Sequence, residues 1–112
     1  MSNTSPQSVG IEDTVVGSGA ECTSARQTVK VHYRGTLLSG KEFDSSYTRG
    51  QPIEFRLGDL IQGWQEGIPG MKVGGKRTLT IPWQKAYGER GSPPTIPPKA
   101  DLIFDIELLG VR

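Results

Sequence analysis

Thr28-Val29-Lys30-Val31-His32-Tyr33-Arg34-Gly35-Thr36-Leu37-Leu38 is the stretch that decides the fold class. Val29, Val31 and Tyr33 alternate with Lys30, His32 and Arg34. Successive side chains of a strand point to opposite faces, so this pattern predicts a strand with one face on a core and the other in water. On that reading His32 is a solvated or edge-packed side chain rather than a catalytic one. The same parity returns near the other end of the chain. Over Asp101–Leu109, the residues Leu102, Phe104, Ile106 and Leu108 alternate with Ile103, Asp105, Glu107 and Leu109.

Working outward, Ile53, Phe55 and Leu57 alternate again. Lys76–Pro82 does so too, with Arg77, Leu79 and Ile81 on one side, and Ile11–Val16 reads as a short first strand ended by Gly17-Ser18-Gly19. Ser39-Gly40-Lys41 is a turn. It leads through the short Phe43-Asp44 segment into a polar loop that carries Arg49. Leu60, Ile61, Trp64 and Ile68 recur at helical spacing, which predicts one short amphipathic helix with Asp59 as its N-cap and Pro69-Gly70 as its end. About five antiparallel strands against one helix bury both apolar faces, so the expected class is α+β. Residues 10–112 are expected to form one domain, preceded by a polar tail over residues 1–9 that includes the sequon Asn3-Thr4-Ser5.

The composition agrees. Fifteen glycines and 8 prolines make up about a fifth of the 112 residues, against a usual share of about 12%. Both residues interrupt helices, so a helical bundle is excluded. The net charge of +1 gives no basic field for nucleic acid. No apolar run is long enough to span a membrane, and no apolar leader is visible, so a cytoplasmic location is expected. One cysteine, Cys22, and one histidine, His32, cannot make an internal disulfide or a Cys/His zinc site. Neither a metal nor a cofactor is expected. Cys22 has no adjacent cation to activate it and reads as a bystander in a loop. Gly74-Gly75-Lys76 lacks the rest of a phosphate-binding loop and reads as a turn.

The distribution of aromatic residues is the positive signal. Phe43, Trp64, Tyr87 and Phe104 lie on four different elements. Tyr87 sits in Trp83–Ala100, a long irregular segment with two Pro-Pro pairs, and such segments in compact domains are usually functional. A loop of this kind folded over the gap between sheet and helix would close an apolar pocket, the commonest form of binding site.

At these residues the chain resembles the FKBP family of peptidyl-prolyl cis-trans isomerases. Val31-His32-Tyr33-Arg34-Gly35 resembles the family's V-H-Y-x-G, and Gly40-Lys41-Glu42-Phe43-Asp44-Ser45-Ser46 its G-x-x-F-D-S-S. Gly63-Trp64-Gln65-Glu66-Gly67, Ala86-Tyr87-Gly88, Ile96-Pro97-Pro98 and Leu102–Leu109 are similar to its later motifs and follow in the family's order. Ser46-Tyr47-Thr48-Arg49-Gly50 is similar to the bacterial Mip-like branch. The stretch from Gly58 to Trp64 is shorter than in many human-type members, Ile53 stands where an aromatic is common, and Ser92 and Thr95 also depart from the pattern.

The resemblance implies a twisted, half-open antiparallel sheet wrapped around the helix. It implies a pocket with Trp64 as its floor and Tyr33, Phe43, Leu60, Ile61, Tyr87, Ile96 and Phe104 as its walls, with Ile53 and Phe55 also in the binding region. Asp44 is expected at the rim, held by Arg49. The catalytic set would be Asp44, Tyr87, Trp64 and Phe104, with the Ile61 N–H and the Tyr87 hydroxyl donating to substrate. The implied activity is isomerisation of X-Pro bonds, assisting protein folding. Implied partners are proline-containing polypeptides and the macrolides tacrolimus and rapamycin, with the chain acting as a monomer. The alternative is a module that binds proline or apolar segments in the same pocket without catalysis.

Overall fold

The computed structural model describes residues 8–112. The expected tail and its sequon lie outside the described residues, except for Ser8 and Val9. Val9 packs on the core cluster, so it belongs to the domain.

The long alternating stretches form the two central strands, β2 (Thr28–Leu37) and β6 (Leu102–Val111), each ten residues long. They pair antiparallel, with Tyr33 opposite Ile106 and Gly35 opposite Phe104. β5 (Lys76–Ile81) pairs with the other edge of β6, and β1 (Gly10–Val15) pairs with β5. The free edge of β2 is covered twice. β4 (Ile53–Arg56) lies along Thr28–Val31, and β3 (Glu42–Ser45) lies along Arg34–Thr36. The result is a six-stranded antiparallel sheet of order β1-β5-β6-β2-β3, with β4 also on β2. The sequence pattern gives about five strands; β3 is the addition. Its residues Glu42-Phe43-Asp44-Ser45 include one apolar side chain, so no alternation shows.

Between β3 and β4 the chain makes a one-turn helix, α1 (Ser46–Arg49), where the sequence suggested an irregular polar loop. The turn is set locally. Ser45 Oγ accepts from the Thr48 N–H, and Gly50 ends the turn in the left-handed region at φ 80°. One turn is too short to show helical periodicity.

The main helix, α2 (Gln62–Gly67), is shorter than its apolar spacing suggests. Asp59 is not its N-cap. Leu57–Asp59 form a 3-10 turn, and Ile61 caps α2 without a side-chain bond. Leu60 and Ile61 are extended residues before the helix rather than part of it. Gly63 and Gly67 bring α2 onto β5: a Cβ would lie 2.4 Å from the Ile81 side chain at one and 2.6 Å from Leu79 at the other. The close approach seats Trp64 and Ile68 in the core.

Arg77 lies on the inner face of β5, as the alternation places it, and is nearly buried. Its Nε donates to Asp13 Oδ1 at 2.6 Å and its Nη1 to the Gly67 carbonyl at 2.8 Å, so one guanidinium joins β1 to the end of α2. Cys22 lies in a loop, outside any strand or helix, and is fully buried there. Its N–H donates to the Met71 carbonyl at 2.8 Å, and burial pushes its thiol pKa up. The thiol is a small apolar filler.

Candidate active site

Three core residues from three elements, Tyr33 of β2, Trp64 of α2 and Phe104 of β6, are each nearly buried and meet ring to ring. The Trp64 centroid lies 5.2 Å from Phe104 and 5.3 Å from Tyr33, and both rings stand edge-on to the indole. Phe55 of β4 stands edge-on to it at 5.8 Å, and Phe43 of β3 stands edge-on to Phe104 at 5.5 Å. Edge-to-face packing suits the aromatic quadrupole and stiffens the cluster. Above the indole is an open cavity of about 180 Å³. Leu60 and Ile61 form the wall next to α2, Tyr87 closes the loop side, and Asp44 stands at the polar edge.

Asp44 is held by two donors. Its Oδ2 accepts from the Tyr33 hydroxyl at 2.6 Å and its Oδ1 from Arg49 Nη1 at 2.7 Å. Arg49 Nη2 also donates to the Tyr33 hydroxyl oxygen at 3.0 Å, closing a three-residue ring of hydrogen bonds. Burial alone would raise the Asp44 carboxyl, but the bonds from Tyr33 and Arg49 outweigh it and hold the pKa below the usual range. Burial and the bond to Asp44 push the Tyr33 hydroxyl up. The Tyr87 hydroxyl is raised by burial and by the Asp44 charge, so it is a neutral donor at ordinary pH. It donates to no group among the described residues.

The loop that carries Tyr87 is fixed at its base. The Trp83 N–H donates to Asp101 Oδ1 at 2.9 Å, and Lys85 reaches Glu66 on α2 at 2.7 Å. Ser92 and Ile96 exchange backbone hydrogen bonds, which folds Ile96 inward.

Most of the side chains singled out in the sequence converge on this cavity. Arg49, Ile53 and Ile96 do not line it. Arg49 acts through Asp44 and Tyr33. Ile53, opposite Val31, packs on the core behind the rings, and Ile96 is buried beneath the loop. His32 faces away from the cavity, stacked on Tyr47 at 4.6 Å with its Nδ1 2.8 Å from Ser46 Oγ.

Sequence reasoning missed two residues. Ser46 is fully buried, and its Oγ accepts from the Tyr33 N–H at 2.7 Å and donates to the Tyr33 carbonyl at 3.2 Å. Gln65, the variable position of the Gly63–Gly67 motif, reaches back to the turn before α2. These four bonds join residues with no periodic relation in the chain, so no pattern signals them.

A curved antiparallel sheet whose aromatic core opens as a pocket beside one helix defines a binding domain for a small apolar group flanked by polar backbone. The comparisons give it a family. The model of the FKBP-type peptidyl-prolyl cis-trans isomerases matches residues 19–109. The isomerase FkpA of Escherichia coli (strain K12) is 51% identical over 106 residues, 94% of this chain and 39% of its own. Its crystal structure matches with a TM-score of 0.87 at 49% identity, covering 93% of this chain and 48% of that one. The peptidyl-prolyl cis-trans isomerase FPR2 of Saccharomyces cerevisiae is 61% identical over 87 residues, 75% of this chain and 64% of its own. The crystal structure of AtFKBP13 matches with a TM-score of 0.83 at 46% identity, covering 91% of each chain. The chain belongs to the FKBP-type peptidyl-prolyl cis-trans isomerase family. It spans about two-fifths of the length of FkpA.

Proposed function

We propose that this domain accelerates cis–trans rotation about X-Pro peptide bonds in polypeptides, with the prolyl ring seated on Trp64. The edge-on cluster of Tyr33, Phe55 and Phe104 around Trp64, open above the indole and charged only at Asp44, carries this reading.

Rotation about the amide faces a barrier of roughly 18–20 kcal/mol and turns over in about 10–100 s unaided. No bond need break. As the amide twists it loses resonance, its dipole falls and its nitrogen becomes pyramidal. An aromatic pocket that excludes water disfavours the planar, polar amide more than the twisted one. That is differential stabilisation of the transition state, worth tenfold in rate for each ~1.4 kcal/mol. Asp44 places a negative charge beside the carbonyl carbon as that atom loses electron density from nitrogen. Tyr87 and the Ile61 N–H hold the substrate's carbonyls on either side. We extend the proposal to tacrolimus and rapamycin as competitors for this pocket and to folding chains as substrates.

The test is a protease-free isomerisation assay on a tetrapeptide containing Leu-Pro, followed by NMR exchange. Catalysis that rapamycin abolishes is the expected result. Rapamycin-sensitive peptide binding with the isomerisation rate at background would leave a binding module and overturn the enzymatic reading.

A further inference from the structure

We infer that Gln65 is a positioning residue for substrate binding, aiming the Ile61 N–H into the pocket through the carbonyl of Leu60. The inference rests on the reading above, in which that N–H holds substrate.

Gln65 Nε2 donates to the Leu60 carbonyl at 2.8 Å and to the Gly58 carbonyl at 3.2 Å. Both partners are carbonyl oxygens, which only accept, so the amide nitrogen must face them. An amide NH2 has two hydrogens, and one side chain thus serves two carbonyls, one within the turn and one just after it. The Gln65 backbone N–H adds a bond to the Ile61 carbonyl at 3.3 Å.

The Leu60 carbonyl and the Ile61 N–H belong to one peptide unit. That unit is planar and trans, so its C=O and N–H point in opposite directions. Fixing the carbonyl on Gln65 therefore fixes the direction of the N–H. A hydrogen bond at the carbonyl also polarises the peptide and strengthens its N–H as a donor.

The flanks of this peptide are held by the Trp64 N–H on the Ile61 carbonyl at 3.0 Å and by packing of Leu60 and Ile61 on the core, but among the described residues no other side chain bonds the Leu60 carbonyl. The turn before it is a single 3-10 turn closed by the Leu60 N–H on the Leu57 carbonyl at 3.1 Å, and α2 has no side-chain cap at Ile61. Ile61 lines the cavity, and its N–H donates to no group among the described residues. Gln65 is outside the cavity lining.

Substrate binding and chemistry separate this role from plain stabilisation. A donor used equally in ground and transition states affects KM and leaves kcat alone. Gln65→Ala should raise KM for the Leu-Pro tetrapeptide about five- to tenfold, the size of one hydrogen bond's net contribution, with kcat within about twofold. The Ile61 amide resonance should shift on peptide addition in the wild-type chain and shift less in the variant. Gln65→Glu supplies a second arm. As a carboxylate it repels both carbonyls, and once protonated it can donate to one. Its KM should therefore fall toward the wild-type value as pH drops from 7.5 to about 4.5, with wild type measured at each pH.

Wild-type KM in both variants, or a loss confined to kcat, would overturn the role of Gln65 while leaving the isomerase reading intact. A lower melting temperature with unchanged KM would make Gln65 a stabilising residue and equally overturn it. A wild-type chain without catalysis would overturn the isomerase reading instead.

Discussion

The hydroxyl of Tyr33 donates to Asp44 Oδ2 at 2.6 Å, so the one acidic group at the pocket edge is anchored by a ring of its own aromatic wall. The bond joins the central strand β2 to the short edge strand β3. With Arg49 on the other carboxylate oxygen at 2.7 Å, it ties the charge to the hydrophobic wall.

This contact fixes a pH dependence. The Asp44 pKa is depressed on folding, so its contribution to stability is full above the unfolded carboxyl pKa and is lost as pH falls through the lower folded value. The Tyr33 pKa is raised, so its contribution is full below the ordinary tyrosine pKa and is lost as pH rises through the higher folded value. Urea midpoints should fall below about pH 5 and above about pH 8, where the buried Cys22 thiol, also raised by burial, joins the alkaline limb ahead of Tyr33. Asp44→Asn should flatten part of the acid limb; an unchanged acid limb would assign it to other carboxylates.

Ser46→Ala should cost about 1–3 kcal/mol in urea unfolding, because it leaves the buried Tyr33 N–H without its partner at 2.7 Å. Ser46→Thr keeps the hydroxyl but adds a methyl at a fully buried site, and it should fall between alanine and wild type. A cost for Ser46→Ala below about 0.5 kcal/mol would show that water replaces the hydroxyl.

Gly35→Ala tests the pocket wall. Its Cβ would lie 2.7 Å from ring atoms of both Phe43 and Phe104, closer than side chains approach. The rings must move, so a loss of about 1–3 kcal/mol and weaker rapamycin binding are expected together. Weakened binding at full stability would instead place the displaced rings inside the cavity.

Arg77→Met removes the ion pair with Asp13 at 2.6 Å and the donor to the Gly67 carbonyl at 2.8 Å. The expected cost is about 1–3 kcal/mol, because the buried Gly67 carbonyl loses its donor while Asp13 stays open to water. Equilibrium unfolding measures it. Asp13→Asn should cost a comparable amount, because it leaves the guanidinium, 9% exposed, without its carboxylate.

The alternation over β2 and β6 was readable because each long strand packs one whole face, so the period of two survives in the residue order. α1 was not readable, since its cap, the Ser45 side chain on the Thr48 N–H, spans one turn. The start of α2 was misplaced for a related reason. Leu60 and Ile61 are apolar because they line a pocket, and at helical spacing from Trp64 they look like part of a helix face. Arg77 could be placed on the inner face, but its neutralising partner Asp13 is 64 residues away.

The order of residues therefore determined the elements, their buried faces and the aromatic set, since these follow from local periodicity and composition. Three-dimensional folding decided which polar groups serve that set. Tyr33 meets Asp44 and Arg49, Ser46 clasps the backbone of Tyr33, and Gln65 turns back on Leu60. Each is a directional bond of about 3 Å. Such a bond forms only after sheet and helix have brought its partners together, and no repeat in the chain encodes it.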